Sequence, residues 1–292
     1  MQNRKVKVAL LSIISNSVLI VLKIIAGIIS GSVSIVSEAI HSSMDLIASM
    51  IAFFSVRLSS KPADEDHPYG HGKIENVSGV LEGLLIFVAA FLIIKEAVVK
   101  IIHPTNISEA YIAIAVMVFA SVVNAIISKI LYKVAKEEDS IALEADALHL
   151  KTDVYTSLGV GVGLLLIKIT QISILDPIVA ILVALLIIKE AWHLCCTAFR
   201  PLLDSRLSIE EEQKVKEVIS KYQDKIVDFH ELRTRKSGCV KYIDFHLLVD
   251  KNLTVEQSHS LSEKLERDLE EALKNTNVNI HIEPAEGTSI RN

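Results

Sequence analysis

Residues 33–57 read VSIVSEAIHSSMDLIASMIAFFSVR, and this stretch decides the fold. It has the length for a bilayer span, which takes roughly 20 mostly apolar residues of helix. Yet it holds His41 and Asp45 well inside it. The i, i+4 spacing sets both side chains on one helix face, one turn apart. A second stretch, 143–168, repeats the device with His149 and Asp153. A charge at the bilayer centre costs about 3 kcal/mol on insertion scales, so four ionisable groups at that depth need partners. Two HxxxD faces turned toward each other gather two imidazoles and two carboxyls, an N/O set suited to tetrahedral Zn²⁺. Interhelical hydrogen bonding is the plainer reading, and the repeat of spacing and composition weighs against it.

Outward from these two stretches, apolar runs at 8–30, 77–101, 109–132 and 175–198 complete six expected spans. The breaks carry turn residues: Gly31-Ser32, the polar run 61–73, His103-Pro104, 136–140 and Asp176-Pro177. The opening MQNRKVK and its apolar sequel have the look of a signal peptide. The run is too long for one and lacks a small-x-small cleavage site, so it reads as the first span. Lys and Arg collect on one side: Arg4, Lys5, Lys7; Arg57, Lys61, Lys73; Lys129, Lys133, Lys136; Arg200, Arg206. The positive-inside rule then places both termini in the cytoplasm of a multi-pass cell-membrane protein.

After residue 203 the composition changes. Of 65 charged residues, 32 (14 basic, 18 acidic) fall in 204–292. The division expected is a transmembrane domain over 1–203 and a small cytoplasmic domain over 204–292. Residues 208–222 are amphipathic, two period-two runs flank Lys236-Ser237-Gly238, Thr254 caps a charged helix to 274, and VNIHIE closes the chain's last strand. The order α-β-β-α-β predicts an open α+β sandwich with helices on one face.

Composition excludes several classes. Three cysteines in 292 residues make no disulfide framework. An apolar content of 51% excludes disorder. A net charge of −5 offers no basic field for nucleic acid. Cys195, Cys196 and Cys239 read as reduced and structural.

Two further groups bear metal-ligating residues. The loop PADEDHPYGHGKIEN carries Asp64, His67 and His71, two histidines four apart around Pro-Tyr-Gly that could chelate a metal, although on spacing alone an ordinary solvated loop is the better reading. The tail carries His230, His246, His259 and His281, with Glu283 two residues on and so on the same strand face as His281. Four solvated histidines explain that spacing as well as a metal cluster does. Glu38, Lys23, Glu82 and Lys151 read as snorkelling or structural pairs.

The two HxxxD faces, the PADEDHPYGHGK loop, the hairpin motif starting at His230 and the terminal HIEP together resemble the cation diffusion facilitator family, in order and over nearly the whole chain. The resemblance implies a transport site at His41, Asp45, His149 and Asp153. It implies a loop site at Asp64, His67 and His71, and a cytoplasmic site at His230, His246, His259, His281 and Glu283. Eight of the ten histidines then fall on family metal positions. His41, where many relatives have Asp, resembles the zinc-preferring branch. Glu283, where Asp is frequent, is one methylene longer. Further implications are a metallochaperone-like tail, a homodimer, and a charge interlock involving Lys73 and Asp204.

The activity implied is secondary transport rather than enzymatic: Zn²⁺ leaves the cytoplasm in exchange for protons, with Zn²⁺ also acting as a regulatory ligand in the tail and no organic cofactor. The chain carries no Gly-Lys-Ser/Thr phosphate loop, consistent with a device that uses no ATP. The alternatives are a membrane metal sensor or scaffold, an antiporter of broader Cd²⁺, Co²⁺, Fe²⁺ and Mn²⁺ range, and a passive channel, which a tight four-ligand trap disfavours.

Overall fold

The computed structural model describes residues 2–30, 33–102, 111–170 and 174–285. The chain divides into two compact units, Met1–Phe199 and Arg200–Asn292.

The first unit is a bundle of six long helices: α1 (Gln2–Ser30), α2 (Val33–Ser59), α3 (Lys73–Ile102), α4 (Tyr111–Glu138), α5 (Ile141–Thr170) and α6 (Leu175–Phe199). Several overrun their apolar stretches: α1 starts six residues before the expected position 8, and α4 continues six residues past 132. The added turns carry Arg4, Lys5, Lys133, Lys136, Glu137 and Glu138, good helix formers that hydropathy alone does not count. Among the described residues, Arg4–Ala26, Lys73–Ile102, Val118–Glu138 and Pro177–Leu203 are long and apolar enough to cross a membrane. Helices α2 and α5 have the length, 27 and 30 residues, and carry the polar pairs.

Exposed Ile, Leu, Val and Phe side chains cover much of the outside of this bundle, while small and polar residues fill its inside. That inversion suits a lipid solvent, where close backbone approach and interhelical hydrogen bonds hold helices together. Gly83 on α3 lies so close to α6 that a Cβ there would overlap Cys195 Sγ. A polar seam joins three helices. The Ser49 hydroxyl on α2 donates to Asp146 Oδ1 on α5 at 2.9 Å, accepts from Asn16 on α1 at 2.7 Å, and lies 2.9 Å from the Ser12 hydroxyl. Buried Lys5 meets Glu75 at 3.2 Å, and Glu75 also accepts from Ser59 and Ser140. Lys23 donates to Ser42 at 2.6 Å, a structural pair. Glu82 does not snorkel: it is fully buried, accepting from Ser78 at 3.2 Å. Lys151 stands exposed, its ammonium over the Tyr155 ring. The side chain of Glu38 lies outside the described residues.

The second unit opens with a 3-10 turn, Arg200–Leu203, followed by α7 (Ile209–Ser220), β1 (Asp228–Ser237), β2 (Val240–Asp250), α8 (Val255–Ala272) and β3 (Thr276–Ala285). Both helices start with capping boxes, on Ser208 with Glu211 and on Thr254 with Gln257. The sheet order is β1-β2-β3, the first pair antiparallel and the second parallel. A left-handed Gly238 (φ +59°) closes the hairpin. Ile243, Phe245, Leu247 and Val249 from β2 pack with Val215, Ile219, Leu261, Leu265 and Leu269 from the two helices. Helices therefore cover one sheet face and leave the other open, as the α-β-β-α-β order predicts.

Candidate metal centres

In the bundle, α2 and α5 bring together Asp45, His149 and Asp153, with donor atoms within 4.8 Å of one another. His149 Nε2 lies 3.1 Å from Asp45 Oδ1, and both side chains are buried. His41 lies in α2, one turn before Asp45; its side chain is outside the described residues. Asn124 on α4 donates to Asp153 Oδ2 at 3.3 Å and so fixes that carboxylate from behind. Nothing in the sequence singled out Asn124, because an amide inside an apolar helix has no partner spacing to announce it. His149 Nδ1 is buried with no hydrogen-bond partner among the described residues.

The loop between α2 and α3 folds Asp64, His67 and His71 into a second cluster. Asp64 Oδ1 accepts from the His67 backbone N–H at 2.7 Å, and this bond holds the Asp64 carboxyl below its usual range. Asp64 Oδ1 lies 3.1 Å from His67 Nδ1 and Oδ2 lies 3.4 Å from His71 Nε2; the two rings are 4.4 Å apart. Gly70, at φ +77°, makes the turn between the histidines, its N–H donating to the His67 carbonyl.

In the tail, strand register does the assembly. His230 pairs with His246, and His246 pairs with His281, so three imidazoles stand in one row across the open sheet face. Ring centroids are 5.1 and 4.8 Å apart along the row. Glu283 bridges them: Oε1 lies 3.0 Å from His246 Nδ1 and 3.7 Å from His281 Nε2, and Oε2 lies 3.5 Å from His230 Nε2. The extra methylene of Glu283 spans the row. His230, His246 and Glu283 form the tightest group.

His259 stands apart from this row. It sits on α8, exposed, with Glu263 at 3.4 Å. Helix α8 packs on the face of the sheet opposite to His246, so no register brings the two together within one chain.

Sequence reading also missed Glu231, whose Oε2 is 4.0 Å from His246 Nε2. Simple alternation sends the neighbour of His230 to the covered face. Instead a bulge between His230 and Arg233 sets two residues of β1 against one of β2. Glu231 takes φ +52° there, and Leu232 returns to the core.

In each group some donor pairs stand near the spacing that a shared metal needs, and all donors lie within 4.8 Å of one another. Two donors bound to one tetrahedral Zn²⁺ at about 2.0–2.1 Å stand about 3.4 Å apart. Individual donor pairs, 3.1 Å apart in the bundle, 3.1 and 3.4 Å in the loop and 3.0 to 3.7 Å from Glu283 in the tail, lie around that value.

Residues 9–203 match the cation efflux transmembrane domain and residues 207–285 match the cytoplasmic domain of cation efflux proteins. The chain belongs to the cation diffusion facilitator family. This facilitator is 37% identical over 265 residues to an uncharacterized transporter of Synechocystis, covering 91% of the chain and 86% of the relative. It is 31% identical to the cation-efflux pump FieF of Shewanella oneidensis (92% and 90%) and 29% identical to the manganese efflux system protein MneP of Bacillus subtilis (95% and 95%). Among solved structures, the zinc form of the zinc transporter CzrB is 34% identical, covering 30% of this chain and 99% of that one, at a TM-score of 0.28. The facilitator is thus a membrane transporter of metal cations, with a helical transmembrane domain and a small cytoplasmic domain, and is not an enzyme.

Proposed function

We propose that this facilitator exports divalent cations, Zn²⁺ foremost, from the cytoplasm in exchange for protons. The observation that carries the reading is the meeting of buried Asp45 and His149 with half-buried Asp153 between α2 and α5; the family pattern adds His41, one turn before Asp45 in the sequence, as the fourth ligand of the proposed site. A metal binds deprotonated imidazole and carboxylate, so its arrival displaces protons and protons arriving from the far side displace it. One site thereby couples both ions. Mixed N/O donors with two imidazoles favour Zn²⁺ over the harder Mn²⁺, and a broader range including Cd²⁺, Co²⁺, Fe²⁺ and Mn²⁺ is the second reading, favoured by the relative named for manganese.

In this scheme all six helices cross the membrane, both termini are cytoplasmic, and the protein works as a homodimer joined through the 204–292 domain. Zinc held by His230, His246, His281 and Glu283 draws two tails together and biases the helices. The loop group Asp64, His67 and His71 is a further binding site. The test is Zn²⁺ uptake into inside-out vesicles with and without an imposed pH gradient. Uptake that rises with the gradient and vanishes in Asp153→Ala supports the reading; uptake indifferent to both sinks it. Vesicles loaded with a zinc dye separate transport from a sensor or scaffold that binds zinc without moving it.

A further inference from the structure

A cavity of 560 Å³ is lined by residues of α4, α5 and α6, none of them a member of the three metal groups. Lys129, Lys133 and Lys136 line it from α4 at i, i+4, i+7 spacing, Lys151 from α5, and Glu190 and His193 from α6. With Glu144, also in the lining, four ammonium groups face two carboxylates. Lys136 is engaged by Glu144 at 2.7 Å. Lys129 and Lys133 are exposed and make no ion pair or hydrogen bond among the described residues. Surplus positive charge of this kind repels a divalent cation, so the cavity does not suit the metal's route.

We propose that this cavity binds the headgroup of an anionic phospholipid. The same α4 face continues toward the helix middle as Ile130, Ile126 and Val122, which are 38%, 54% and 54% exposed. Apolar residues exposed below and cations above reproduce, along one helix, the tail-then-phosphate order of a lipid. Tyr132, 49% exposed at the level of the lysines, is the aromatic residue expected where hydrocarbon meets headgroup. Basic pockets between membrane helices are suited to anionic headgroups, each cation contributing about fivefold in affinity. A soluble phosphate shares the phosphate chemistry but has no use for the exposed apolar strip.

The full-length protein in detergent, titrated with phosphatidylglycerol and separately with phosphatidylcholine and followed by native mass spectrometry, tests this. Phosphatidylglycerol is expected to bind at least tenfold more tightly. Lys129→Gln with Lys133→Gln is expected to weaken it by about 25-fold. Lys129→Arg with Lys133→Arg keeps the charge and is expected to keep the binding, which separates lost affinity from a misfolded bundle. Lys95→Gln with Lys100→Gln, on α3, serves as the control and leaves binding unchanged. Equal binding of the two lipids, or a double Gln variant that binds phosphatidylglycerol as the parent does, overturns the proposal. So does displacement of the lipid by millimolar glycerol phosphate alone, which makes this a soluble-phosphate site.

Discussion

His149 Nε2 on α5 lies 3.1 Å from Asp45 Oδ1 on α2, two buried groups 104 positions apart in the chain. Each is the other's polar partner in a region whose outer faces carry bare aliphatic side chains. Losing either removes the other's hydrogen bond and leaves Asp153 as the nearest member of the cluster.

His149→Ala is therefore expected to abolish transport and also to lower stability, by about 3 kcal/mol for a buried partner left unpaired. Asn124→Ala removes only the donor behind Asp153 and is expected to cost 10- to 100-fold in metal affinity or flux while the protein stays folded. Zinc flux in proteoliposomes, read beside thermal unfolding, checks both. An Asn124→Ala protein with unaltered flux removes the positioning role.

Glu231→Gly is expected to act in opposite directions on stability and on zinc. A non-glycine residue at φ +52° carries strain on the order of 1 kcal/mol, which glycine relieves. The carboxylate near His246 is lost at the same time. Tail stability should rise and tail zinc affinity should fall, measured by denaturant unfolding and by calorimetry on the full-length protein. A fall in both shows that the bulge is stabilised by this side chain instead.

Asp64 sets the pH behaviour of the loop. Its carboxyl is held low by the His67 N–H, so its contribution is present above the ordinary aspartate value and is lost only as pH falls through the lowered one. Zn²⁺ binds only deprotonated ligands, so its hold on the loop weakens as pH falls. Asp64→Asn is expected to weaken loop zinc binding and to move its acid release to higher pH, because protons then compete with a weaker hold on the metal. A fluorescent zinc competition across pH, in protein also carrying Asp153→Ala, His230→Ala and His246→Ala, reads this directly. Unchanged affinity with an unmoved midpoint contradicts it.

Gly83→Val is expected to cost about 1–3 kcal/mol by forcing α3 off α6. The clash is with the Cys195 sulfur, so adding Cys195→Ala should recover part of the loss. Thermal unfolding of the two variants in one detergent makes the comparison; no recovery means the obstruction is backbone.

The fold was legible because lipid and sheet each impose a rule that residues cannot hide. Uncharged runs give the bundle, and period-two alternation with capped helices gives the tail. Legible too were Asp45, His149 and Asp153, since ionisable groups in apolar helices are few. What escaped was set by tertiary geometry. The bulge that turns Glu231 outward leaves no trace in HELRTR, and Asn124 gains its meaning only where α4 passes α5. His259 looked like one of a set of histidines, and the sheet put its helix on the wrong side. Ser12, Asn16 and Ser49 passed as ordinary small polar residues until the helices met.

That last trio has a mechanical result. Asp146 accepts from Ser49, which in turn takes the amide of Asn16, so α1, α2 and α5 are riveted at one level of the bundle. A slip of one residue's rise along any of these rods would strand the Asp146 carboxylate with nothing aimed at it, in a place water does not reach. The three rods are thus tied at that level, and Asp45 and His149, each about one turn from Ser49 and Asp146 respectively, sit on the tied pair α2 and α5.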